Sequence, residues 1–132
     1  MNSPTSSVHF SNSEIEAAQR LKALGLPWEP TPGHYVLDQC DLIECDSPFQ
    51  GRVFFILDLK HFLRRSGTLE RLKQGMCWLP TWEQARAILA DMNVASSEIA
   101  RLIHESGAIS NGCERLELYH LIEQQLQAPP VR

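Results

Sequence analysis

The sequence predicts an α+β fold: a small mixed or antiparallel sheet of three to four short strands, covered by five to six helices and ending in a C-terminal helical hairpin. Three observations carry this expectation. Helix start and stop signals recur along most of the chain; β-type runs are short and confined to residues 35–79; and strands and helices do not alternate as a parallel doubly wound sheet would require.

Size and composition agree with one globular domain. A chain of 132 residues buries roughly two-thirds of its unfolded surface and needs no disulfide or metal to hold a core. With 43% hydrophobic and 21% charged residues, the composition excludes disordered and fibrous classes. Residues 1–12 read as a flexible tail, 13–127 as a single α+β domain, and 128–132, with Pro129-Pro130, as a second tail.

The first helix is punctuated by Ser13 and Glu16, which fit a capping box, and by Gly25 as a stop. Ile15, Ala18, Leu21 and Leu24 make its apolar face. Pro27, Pro30 and Pro32 then enforce an extended segment. Residues 35–37 form a short β-type run, 42–43 a weaker one, and 47–51 a turn that returns the chain antiparallel. Residues 53–57 are continuously apolar, as expected of a strand buried on both faces, and 76–79 form a further strand.

The remaining elements are helical. Asp58 caps a helix ending near Gly67, and Thr68 caps another ending near Gly75. Thr81 and Gln84 make a capping box for a helix to Met92, with Trp82, Ala85, Ile88, Leu89 and Met92 on its inner side. Ser96 or Ser97 begins a helix stopped by Gly107. Asn111 caps the last, whose stripe is Leu118, Leu121, Ile122 and Leu126, with Tyr119 flanking. If the sheet has only three strands, that stripe is expected to pair with its copy, giving a homodimer through the C-terminal helices.

Three groups of residues have chemistry worth weighing. The first is acidic and thiol-rich: Asp38, Cys40, Asp41, Glu44, Cys45 and Asp46 in the 38–46 region, with His34 or His61 to complete a metal shell. Against a metal stands the spacing, because neither Cys77 nor Cys113 has a close second Cys or His. Acidic residues in a strand–turn–strand segment also serve simply to keep an edge soluble. The second is Cys113, at the expected start of the last helix, where the helix dipole favours a nucleophilic thiolate. No orienting or oxyanion group stands beside it in sequence, and a free Cys more often plays a packing role.

The third group is basic. Residues 60–73 hold Lys60, Arg64, Arg65, Arg71 and Lys73 against Glu70 alone, a local charge of +4 in a chain of net −4, so the remaining residues carry −8. Such a patch suits an anion or an acidic protein surface, although a solvated helical hairpin explains it too. The segment 97–127 has the outline of a DNA-binding helix pair, but Arg101 and Arg115 stand against Glu98, Glu105, Glu114, Glu117 and Glu123. That sign repels phosphate. Trp28, Trp78 and Trp82, each near a proline, either line a groove or pin loops to the core.

No phosphate loop, dinucleotide fingerprint, zinc-protease or nucleophile-elbow motif occurs, so no cofactor is expected. No apolar run is long enough to span a bilayer, and the Ser- and Asn-rich start lacks the basic and apolar parts of a leader. The expected location is the cytoplasm, with reduced cysteines and no membrane partner. The function expected from all this is a non-enzymatic interaction module working by protein–protein contact through the basic 60–73 segment. The alternatives are a small cysteine-dependent enzyme using Cys113 and a metal-binding domain at 38–46.

Overall fold

A computed structural model describes residues 9–47 and 49–128. Most of the expected tails (1–8 and 129–132), and Pro48 of the expected turn, lie outside the described residues. The fold is α+β, with seven helices and one three-stranded antiparallel sheet among the described residues. The chain forms two compact units, one of Met1–Ser11 with Pro27–Leu79, the other of Asn12–Leu26 with Pro80–Arg132.

The first unit holds the sheet: β1 (Tyr35–Asp38), β2 (Val53–Phe55) and β3 (Met76–Leu79), in the order β2-β1-β3. Tyr35 faces Phe55 on one side and Leu79 on the other, and the register runs on to Asp38 opposite Met76. Alternation along the strands puts Val36, Phe54 and Met76 on one face. There they meet Ile43, Ile56 and Phe62 in a buried cluster. Between β2 and β3 lie α2 (Leu59–Ser66) and α3 (Leu69–Gly75). Asp58 caps α2 by accepting from the backbone N–H of His61, and Thr68 caps α3 by accepting from that of Arg71, as the sequence predicts.

Four details depart from expectation. Phe10, inside the stretch expected as a tail, is fully buried, and its backbone exchanges two hydrogen bonds with the Gln50 side chain. Its ring also meets the edge of Tyr35 at 5.6 Å. Residues 42–43 form no strand, because their backbone N–H groups donate to the Asp38 carboxylate and are lost to any ladder. The expected 53–57 strand ends at Phe55, which is only half-buried; Ile56 stays inside, but Leu57 turns outward and is 80% exposed. Finally, Gly75 ends α3 for reasons of space rather than handedness: a Cβ there would lie 2.8 Å from Cδ1 of Leu42.

The second unit is helical: α1 (Asn12–Ala23), α4 (Trp82–Asp91), α5 (Ser96–Ser106), α6 (Ala108–Asn111) and α7 (Glu114–Gln127). Helix α1 starts one residue before Ser13, so the Ser13–Glu16 capping box does not form. The stop at Gly25 does, with φ of +88° and the N–H of Leu26 reaching back to the carbonyl of Leu21. The Thr81–Gln84 capping box closes with both of its hydrogen bonds. Gly107 ends α5 in the left-handed conformation. Asn111 caps nothing. It closes the unexpected one-turn α6, and Cys113 takes the N-cap position of α7 instead.

Helix α7 packs chiefly on α1 and α4. Leu118, Leu121 and Ile122 are buried there, and Tyr119, expected to flank the stripe, is fully buried with its hydroxyl donating to the carbonyl of Pro80. The stripe that prompted the expected dimer is therefore already covered within the unit; Leu126 is half-buried. Trp82, expected inside, is largely exposed at the first turn of α4, with the Arg86 guanidinium 5.1 Å over its ring.

Two ion pairs fasten α1 to α7. Glu14, only 6% exposed, accepts two hydrogen bonds of 2.9 Å from the Arg115 guanidinium, and Arg20 meets Glu123 at 3.0 Å. Both pairs follow the same order along the two helices, so α1 and α7 run side by side in the same direction. The bidentate geometry is what makes a buried Glu tolerable on a face otherwise lined by Ala17, Ala18 and Leu21.

Candidate functional site

The acidic 38–46 segment is a loop folded around one carboxylate. Asp38 continues the inward side of β1 after Val36, so its side chain is buried. One oxygen accepts from the N–H of Leu42 and the other from that of Ile43, both at 2.9 Å. Arg52 completes the arrangement. Its guanidinium donates to Asp38 at 2.7 Å, to the carbonyl of Cys45 at 2.9 Å and to the carbonyl of Ile43. Its Nε lies 3.3 Å from Asp41, as an ion pair rather than an aligned hydrogen bond. Asp38 is thereby spoken for, while Cys40, Asp41 and Cys45 face solvent. Among the described residues no three His, Cys, Asp or Glu side chains gather as metal ligands would.

Trp28 and Trp78 come together, and His34 joins them, hydrogen-bonded to the one and stacked on the other. His34 stacks on Trp78 at 4.7 Å, and Trp28 lies nearly parallel to Trp78 at 6.4 Å. The indole Nε1–H of Trp28 donates to Nδ1 of His34 at 3.1 Å. An indole can only donate, so this nitrogen must be unprotonated. The two hydrogen-bonded rings therefore form one layer against Trp78, a filled stack rather than an open slot. Trp82 takes no part in it.

Burial lowers the pKa of His34 below its ordinary 6.5. A histidine with a depressed folded pKa contributes stability that is complete above the unfolded value and is lost as pH falls through it toward the folded value. The melting temperature should accordingly fall as pH drops below about 6.5. His34→Gln, which keeps an acceptor without a titration, should flatten that dependence. Equal slopes for the two proteins in thermal melts would remove His34 as the cause.

Cys113 sits where the sequence places it, at the start of the last helix, and it is half-buried. Its backbone carbonyl accepts from Glu117, but its side chain makes no capping hydrogen bond. On α7 the ion pair nearest to it in sequence is Arg115 with Glu14, and His120 lies seven residues on, 4.0 Å from Glu117.

The basic residues, by contrast, are assembled by the local fold. Phe62 turns inward from α2, with Leu59 and Leu63 packed against the same core. That orientation leaves Lys60, His61, Arg64 and Arg65 on the outer side, where i and i+4 residues are neighbours. Leu72 anchors α3 in the same way and leaves Arg71 outside. The Arg71 side chain lies back over the turn at Gly67, whose φ of +106° suits glycine; a Cβ there would sit 3.3 Å from Cδ of Arg71.

Two of the five cations are engaged. Lys73 pairs with Glu29 at 3.0 Å, and Arg65 donates to Sγ of Cys45 at 3.2 Å. Among the described residues Lys60, Arg64 and Arg71 make no ion pair. A shallow depression beside Arg71 is lined by Cys40, Leu42, Gln74 and Gly75. The spacing of charges along 60–73 was the signal for this face. The Glu14–Arg115 and Asp38–Arg52 pairs had no such local signal.

The sequence matches no protein-family model, and it matches neither a curated protein nor a solved structure. No helix among the described residues is long and apolar enough to cross a membrane.

Proposed function

We propose that this chain is a non-enzymatic interaction module that docks an acidic segment of a partner protein on the outer face of α2 and the adjoining side of α3. The observation that carries the reading is the set of three cations, Lys60, Arg64 and Arg71, exposed together and without ion-pair partners among the described residues. Unpaired surface cations are free to meet carboxylates, and they speed encounter with an acidic surface. Arginine at two of the three positions favours forked contacts to carboxylates. The −8 carried by the rest of the chain adds a sign contrast that orients an approaching acidic partner.

Charge reversal tests it. Lys60→Glu/Arg64→Glu/Arg71→Glu should leave the melting temperature near that of the wild type, because exposed unpaired charges contribute little to stability. The same variant should weaken association with the partner captured by the wild type roughly tenfold to a hundredfold at low salt. Capture that is identical for wild type and variant, or insensitive to salt, would place the interface elsewhere.

A further inference from the structure

Two large apolar side chains beside or within the basic segment are exposed, Leu69 at 39% and Leu57 at 80%, and Leu57 stands immediately before the N-cap of α2. Its neighbour Ile56 is fully buried, so the chain turns Leu57 outward at the point where the outer face of α2 begins. One turn on come Lys60 and His61, and a second turn on Arg64 and Arg65. We infer that Leu57 is the apolar end of the docking face, and that the partner segment is an acidic helix ending in an apolar residue that packs on Leu57. The inference rests on the function proposed above and specifies its partner.

Charge complementarity selects this occupant over others. Lys60 and Arg64 are one helical turn apart, about 6 Å along the axis, the separation of carboxylates at i and i+4 on a facing helix. A lipid surface fits less well, because the apolar side of α2 is turned into its own core through Phe62 and no amphipathic face of that helix is left for a bilayer. A nucleic acid fits less well too: Phe62, the one Phe, Tyr or Trp within 57–73, is only 7% exposed and offers no stacking platform.

The experiment uses two fluorescent peptides of about fifteen residues, helical, with Glu at i and i+4 and either Leu or Ser at both ends. Anisotropy titrations are run with wild type, Leu57→Ser and Lys60→Glu/Arg64→Glu. The Leu-ended peptide should bind wild type about tenfold more tightly than the Ser-ended one, the worth of one largely buried Leu. That advantage should vanish with Leu57→Ser, and both peptides should lose affinity for the charge-reversed protein. Equal binding of the two peptides to wild type, with loss on charge reversal, would overturn the anchor while sparing the acidic-partner reading. Binding that charge reversal does not change would overturn both. Tighter binding to vesicles of phosphatidylcholine with phosphatidylserine than to either peptide would replace the protein partner with a membrane surface.

Discussion

Asp38→Ala is expected to destabilise the first unit by about 3–5 kcal/mol, the cost of leaving a buried partner uncompensated. The substitution strands the Arg52 guanidinium beside the carbonyls of Ile43 and Cys45. It also orphans the backbone N–H groups of Leu42 and Ile43, which have no ladder to join. Asp38→Asn separates the two losses, since an amide keeps one acceptor oxygen but not the charge, and it should cost less. Denaturant unfolding of both variants gives the comparison. A cost below about 1 kcal/mol for Asp38→Ala would mean that the 38–46 loop stands without its central carboxylate.

Ile56→Asp should abolish folding. The side chain is fully buried in the apolar cluster with Val36, Phe54 and Phe62. A buried, unpaired charge costs several kcal/mol, a large part of the 5–15 kcal/mol that holds a typical domain together. Phe54→Asp should also be strongly destabilising, although the Arg52 guanidinium 4.9 Å from that ring offers its carboxylate a partner. Ile56→Val serves as the control, with an expected loss of about 0.5–1.5 kcal/mol. Soluble Ile56→Asp protein that melts like the wild type would mean that this cluster does not hold the sheet.

What could be read from the sequence was chemistry confined to a few neighbouring residues. Asp58, Thr68 and the Thr81–Gln84 pair each announce a helix because cap and amide lie within one turn. Strands are visible for the same reason at 35–37, 53–57 and 76–79, of which the first runs one residue further and the second stops at Phe55, as is the outer face of α2 with Lys60 and Arg64 four apart. Nothing adjacent to Glu14 in sequence marks it as buried. Its partner lies 101 residues away, and only tertiary packing brings it there. Asp38 had a readable clue, since period-two alternation from Val36 puts it on the buried side of β1. Trp82 misled in the opposite sense: its size argued for the core, whereas a first-turn position left it outside with Arg86 for cover.

The clasp between Glu14 and Arg115 also governs when this chain can finish folding. During synthesis at about 5–20 residues per second, Arg115 follows Glu14 from the ribosome by roughly 5–20 seconds. Throughout that interval α1 has neither the apolar face of α7 nor the guanidinium that neutralises its buried carboxylate. A helix of 12 residues is marginal by itself in water. Helix α1 thus waits, exposed to chaperones and proteases, until α7 has been made, while the caps and hairpin of residues 58–75 depend only on neighbours already made. A ribosome stalled after Ser110 would hold a nascent chain whose sheet unit has all its residues and whose first helix has no partner.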